Sequence, residues 1–140
     1  MLVLDTSGLL AAIGPEQPFH KEARHVLETE EGPLLLSPFV LAETDYMILK
    51  LAGVRRELQF LRDIGAGGYE LVAMSADDVR RAANIAEQYA DMRIGLTDAS
   101  VALVAARHGT TRVLTLDHRH FRTMKPLRGD AFTVLPADGR

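Results

Sequence analysis

The chain has 140 residues, 47% of them apolar and 25% charged, with no cysteine and a net charge of -3 from 16 basic and 19 acidic residues. The length suits one ordinary domain, and the missing cysteines exclude a disulfide scaffold, a thiolate zinc or iron–sulfur site and a thiol nucleophile. The composition excludes disorder and collagen-like repeats, and the acidic excess, at face value, speaks against a simple nucleic-acid binder.

Taken in chain order, short apolar runs alternate with helical patterns. Leu2-Val3-Leu4 reads as a strand buried on both faces, with a helix beginning near Ser7. Met1 to Ile13 has no basic leader and carries Asp5, so it is not expected to be a signal peptide. Phe19, Ala23, Val26 and Leu27 share one face of a second helix, and His20 and His25 fall on its polar side. Leu34-Leu35-Leu36 is a second strand. Ser37-Pro38 then opens a helix running to about Gly53, because Ser caps free N–H groups and Pro suits the first turn. A further helix carries Val54, Leu58, Leu61 and Ile64 on one face and ends at Gly65. The apolar faces between residues 38 and 64 need cover, within the domain or from a partner. Tyr69 to Met74 reads as a third strand, and Ser75 to Asp78 as a capping box before another helix. Thr97 is placed to cap a helix from Asp98 to His108, which Gly109 closes. Arg112 to Leu116 and Phe132 to Leu135 are the fourth and fifth strands.

Strands of this length alternating with helices predict βαβ units: a three-layer α/β/α domain over residues 1–140 with a parallel sheet of about five strands. No apolar run approaches the roughly 18 residues of a membrane span, and the cytoplasm is the expected compartment. In such folds the ligand site lies at the carboxyl ends of the strands. Asp5 follows the first strand and Asp117 the fourth, Asp98 stands in the first turn of its helix, and Glu43 in the second turn of the helix opened by Ser37-Pro38. Each has an ordinary explanation: a helix cap for Asp5, a turn for Asp117, the helix dipole for Asp98, a solvated face for Glu43. Four acids at one sheet edge are harder to explain separately, because neighbouring carboxylates resist joint ionisation unless a cation is present. Oxygen ligands without Cys select a hard ion, Mg²⁺ or Mn²⁺.

Four segments carry a specific resemblance: Leu2-Val3-Leu4-Asp5-Thr6-Ser7-Gly8-Leu9-Leu10, Ser37-Pro38-Phe39-Val40-Leu41-Ala42-Glu43, Gly95-Leu96-Thr97-Asp98-Ala99-Ser100 and Thr115-Leu116-Asp117-His118-Arg119-His120-Phe121. In this order and spacing the chain resembles a PIN-domain ribonuclease, of the VapC type found as toxins of bacterial toxin–antitoxin pairs. The resemblance implies a sheet order of 3-2-1-4-5 and an acidic catalytic pocket of Asp5, Glu43, Asp98 and Asp117. In it Asp5 and Asp98 are the principal Mg²⁺ (or Mn²⁺) ligands, and Glu43 and Asp117 additional or water-mediated ones. It implies metal-dependent RNA cleavage leaving a 5′-phosphate and a 3′-hydroxyl, a homodimer, and a cognate antitoxin. A stand-alone RNA-processing nuclease without antitoxin is the alternative on the same fold. A haloacid-dehalogenase-type phosphatase with Asp5 as nucleophile would need a second Asp where Ser7 stands, and a receiver domain a phosphoacceptor where Met74-Ser75 stands.

Arg112 to Arg128 holds five basic residues against Asp117 alone and is expected to begin beside the site. Arg119 and Arg122 are its candidate phosphate contacts, with Thr6 and Ser7 as candidate hydrogen-bonding groups for RNA. Phe121 is expected in the core. His118 and His120 flank Arg119 and are read as incidental to the chemistry; His108 lies at a helix C-terminus, where positive charge is favourable. Setting the four pocket acids aside leaves 15 acidic against 16 basic residues, so the acidic total no longer weighs against an RNA substrate.

Overall fold

The computed structural model describes residues 1–139. Five strands form one all-parallel sheet in the order β3-β2-β1-β4-β5: β1 (Leu2–Leu4), β2 (Leu34–Leu36), β3 (Glu70–Leu71), β4 (Arg112–Leu114) and β5 (Thr133–Leu135). Between them run α1 (Thr6–Ile13), α2 (His20–Thr29), α3 (Pro38–Ala52), α4 (Val54–Gly65), α5 (Ala76–Gln88), a single 3₁₀ turn at Ala90–Met92, α6 (Leu96–His108) and α7 (His118–Thr123). The sheet order and the parallel α/β architecture agree with expectation.

Leu2, Val3, Leu4, Leu35, Leu36, Val113, Leu114 and Val134 are buried on both sides of the sheet, as parallel strands covered on both faces must be. α6 is buried along most of its length, from Ala99 to Ala105, so its first turn is fixed against the sheet edge. Phe121 is a core residue, its ring edge-on to Phe132 at 5.5 Å between centroids and 86° between planes. The Ser37 cap accepts from the Phe39 N–H, and the Ser75–Asp78 capping box closes in both directions.

Several boundaries differ. β3 spans two residues rather than Tyr69 to Met74. As the edge strand it has one neighbour, and both residues are exposed. β4 stops at Leu114, but the Thr115 N–H still donates to the Leu135 carbonyl at 2.9 Å, which ties the next residue to the ladder. α6 begins at Leu96 behind Gly95, so Thr97 lies inside the first turn and does not cap it. Gly109, at φ 67°, closes α6 in the left-handed conformation expected of a terminating glycine. Among the described residues, no helix is long and apolar enough to cross a membrane.

Candidate functional site

The first turn of α1 lies hard against β4. A β-carbon on Gly8 would stand 2.3 Å from the Leu114 carbonyl oxygen, so only glycine permits this approach. It brings Ser7 to the segment leaving β4. Ser7 Oγ accepts from the Leu116 N–H at 2.9 Å and donates to Asp5 Oδ2 at 3.2 Å. Thr115, fully buried, donates its hydroxyl to the same Asp5 oxygen at 2.7 Å. Asp5 is therefore held by both strands at the point where the sheet order reverses. It stands at the N-cap position of α1, yet its side chain caps nothing. The capping explanation for Asp5 fails.

The other three acids come to the same edge. Asp98 is the third residue of α6. Ser37 and Ser100, both buried, hydrogen-bond at 2.7 Å and lock the start of α3 to α6. One turn further along α3, exposed Glu43 accepts from the Thr97 hydroxyl at 3.2 Å. Asp117 forms the N-cap of α7, where its Oδ1 accepts from the His120 N–H at 3.1 Å; the turn explanation holds for one of its two oxygens. Glu43, Thr97, Asp98 and Asp117, with Gly95 and Leu96, line an open pocket of about 330 Å³.

Its electrostatics are those of an acid cluster short of cations. Burial, then the Asp98 charge, push the Asp5 carboxyl up to about 7, against hydrogen bonds from Thr115, the Thr6 backbone and Ser7. Burial also raises Asp98, opposed by His120 and reinforced by Asp117 and Glu43. His120 is the one positively chargeable group among them. Its Nδ1 stands 2.5 Å from Asp98 Oδ2 and 2.9 Å from Asp117 Oδ2. Ligand atoms of Asp98, Asp117 and His120 all lie within 4.8 Å of one another, a group able to hold a metal ion. Carboxylate oxygens, one imidazole and a buried acid with raised pKa together fit a hard divalent cation.

His120 thus belongs to the site, contrary to its reading as incidental. The signal was the Asp117-x-x-His120 spacing, which is that of an N-cap and its third helical residue. Other expectations also change. Ser7 is engaged as a strut between α1 and the β4 exit. The Thr6 hydroxyl is buried and has no partner among the described residues. Arg122 forms a two-pronged pair with Asp138, at 2.7 and 2.5 Å, so its guanidinium is occupied within the chain. Arg119 is exposed and in no ion pair among the described residues. Arg112 does not begin a basic surface beside the site. It lies at the amino end of β4, at the opposite edge of the sheet, paired with Glu30. His20 is half-buried rather than solvated, its Nδ1 2.8 Å from the Ala11 carbonyl oxygen.

With this geometry in place, comparison with known proteins gives one answer. The sequence profile described as the PIN domain matches residues 2–125. Ribonuclease VapC26 of Mycobacterium tuberculosis is 38% identical over 135 residues, covering 96% of this chain and all of the relative. Among solved structures, Mycobacterium tuberculosis VapC20, described as a sarcin-ricin loop cleaving toxin, superposes with a TM-score of 0.78 at 18% identity, over 84% of this chain and 90% of that one. FitAcB from Neisseria gonorrhoeae follows with a TM-score of 0.53 at 18% identity, over 79% and 84% of the respective chains. At that identity these two structures bear on the fold.

Proposed function

The chain belongs to the PIN-domain family and is of the VapC type, and from that premise we propose that it is a Mg²⁺- or Mn²⁺-dependent endoribonuclease, the toxin of a toxin–antitoxin pair in the cytoplasm. The observation that carries the reading is geometric: Asp5, buried at the end of β1 and met by neutral donors, stands at the same carboxyl edge of the sheet as the pocket lined by Asp98, Asp117 and Glu43. The name of the VapC26 relative supports the activity.

An RNA phosphodiester resists hydrolysis because its oxygens repel an anionic nucleophile. A divalent cation bound at this site would lower the pKa of a bound water and offset charge developing on the phosphate. Asp5 and Asp98 would be its principal ligands, and Glu43 and Asp117 additional or water-mediated ones. The protein's own part is to hold these oxygens rigidly. Thr115 and Ser7 orient Asp5, and the Ser37–Ser100 bond sets Glu43 against the first turn of α6. Asp117 or Glu43, both more open to solvent than Asp5, would accept the proton of the attacking water. His120 ties two of the acids together, its ring Nδ1 hydrogen-bonded to Asp98 and its backbone N–H donating to Asp117. Arg119, exposed beside Asp117, is the basic residue free to meet a phosphate.

A partner is supported by the α3–α4 surface, where Tyr46, Leu49, Leu51, Val54, Leu58 and Leu61 remain exposed. An antitoxin, or a second copy of the chain in a homodimer, would cover them.

The test is cleavage of total cellular RNA by the purified protein, with 5′-phosphate ends mapped by sequencing. New ends are expected with wild type and Mg²⁺, and none with EDTA or with Asp98→Asn. Identical end maps for wild type and Asp98→Asn would reject the reading. A gene for a small DNA-binding protein beside this one would separate a toxin from a stand-alone RNA-processing nuclease.

A further inference from the structure

A second concavity opens on the same edge of the sheet. It has a volume of about 260 Å³ and is lined by Phe19, Glu22, Leu116, His118, Pro136 and Ala137. Leu116 and His118 face this concavity, while Asp117 between them faces the acidic pocket. The two share one wall.

Phe19 is peculiar in two independent ways. Its backbone is left-handed, at φ 60°, a conformation shared among the described non-glycine residues only by Arg93. A residue bearing a β-carbon holds it at a cost in free energy, and such strain collects at functional sites. The surroundings enforce it: the Phe19 carbonyl accepts from the Ala23 N–H at 2.9 Å as α2 begins, and His20 is bonded to the Ala11 carbonyl. Yet the residue is 62% exposed, so burial does not offset the strain. A glycine would satisfy the turn at lower cost. What the phenylalanine adds is an aromatic side chain in the lining of an apolar hollow, next to the carboxylates.

We propose that this hollow is a nucleobase subsite. A base adjacent to the cleaved phosphodiester leaves its stack and lies on the Phe19 ring, against Leu116 and Pro136, with Glu22 and His118 at its polar edge. The inference rests on the reading of the acidic pocket as an RNA-cleaving site and adds the recognition of one neighbouring base. The occupant is a base and not a phosphate because the lining is mainly apolar and Glu22 repels anions, whereas its carboxylate accepts from an exocyclic amino group. Bases splayed out of single-stranded RNA are read in this manner, by stacking on an aromatic ring with hydrogen bonds at the edge.

The experiment uses a short RNA spanning the cut mapped in total RNA, alone and with an abasic site at each flanking position, cleaved by wild type, Phe19→Leu and Phe19→Tyr. Leucine keeps apolar bulk without an aromatic face, and tyrosine keeps the face. Phe19→Leu is expected to raise KM about tenfold or more with kcat little changed, and Phe19→Tyr to stay close to wild type. One abasic position should cost wild type a similar factor and cost Phe19→Leu nothing further. Unchanged KM in Phe19→Leu, or equal abasic penalties in both proteins, would overturn the subsite and leave the hollow to a protein side chain. Failure of wild type to cleave any RNA would instead overturn the nuclease reading, and the subsite with it.

Discussion

The two edges of the sheet handle buried carboxylates in opposite ways. At the amino edge, Glu30 has a side chain only 5% exposed, and its oxygens are met by Arg112 and the Gly32 N–H. Burial works against its ionisation, but these partners hold its pKa below the ordinary carboxylate range. At the carboxyl edge, Asp5 is more deeply buried and receives only neutral donors, Thr115, Ser7 and the Thr6 backbone, so burial first and the Asp98 charge second push its pKa up to about 7. Burial is common to both edges; the matched cation is not. A protein that stabilises one acid with an arginine and leaves a cluster of four with one histidine has kept the second edge for a charge it does not itself carry.

The sharpest way to break this contrast is to remove one acid from each edge. Asp98→Asn is expected to cut RNA cleavage by about a hundredfold or more, measured as initial rates in Mg²⁺. Asp5→Asn should do the same while raising metal-free stability at about pH 8, by at least about 1 kcal/mol in denaturant titration, because there it removes a buried charge without changing shape. Arg112→Met should behave in reverse, losing about 1–2 kcal/mol of stability and leaving cleavage intact, since Glu30 is then buried without its guanidinium. Loss of activity in Arg112→Met that exceeds its loss of folded protein would contradict the separation of the two edges.

The pH dependence sharpens the same comparison. The folded chain holds a proton on Asp5 up to about pH 7, whereas the unfolded chain releases it near 3.8. The Asp5 contribution to metal-free stability is therefore complete below about pH 4 and is lost as pH rises through about 7. The melting temperature of Asp5→Asn in EDTA should rise progressively above that of wild type between about pH 4 and about pH 7 and keep a constant lead at higher pH. Asp138 runs the other way. Its pairing with Arg122 and the Val134 N–H lowers its pKa to about 2, so its contribution is present above about pH 4 and lost as pH falls through about 2. The smallest effect is expected at Arg119, where substitution by Ala should lower RNA affinity a few-fold and reduce its salt dependence. Arg122→Ala should show neither change, because its guanidinium is bound to Asp138.

The sequence made the carboxyl edge legible and the amino edge obscure, for a physical reason. Asp5 and Asp117 follow apolar strands directly, and Asp98 and Glu43 sit at fixed offsets from helix starts, so local pattern was enough to gather them. The Glu30–Arg112 pair joins residues 82 positions apart, and nothing in either neighbourhood announces it. In sequence Arg112 groups with Arg119 and Arg122, but strand direction carries it to the far edge. Arg122 likewise reads as free in the sequence because its partner, Asp138, lies in the turn after β5. His120 is hard to read as a site residue because its partner Asp117 lies one helical turn before it, a relation that appears only once α7 forms. Thr97 has the residue type of a cap, but Gly95 starts the helix earlier, which frees the hydroxyl for Glu43. Phe19 looked like one more apolar position on α2, since its periodicity is correct and a left-handed φ leaves no trace in a hydrophobic pattern.

If the carboxyl edge is an acid cluster awaiting a divalent cation, metal binding must displace a proton, and that release is the most direct test. Mg²⁺ is titrated calorimetrically into the metal-free protein near pH 6.5, in buffers of different ionisation enthalpy. The account predicts saturable binding accompanied by release of a substantial fraction of a proton, which Asp5→Asn abolishes. Absence of Mg²⁺ binding, or binding whose proton release is unchanged in Asp5→Asn, would contradict it.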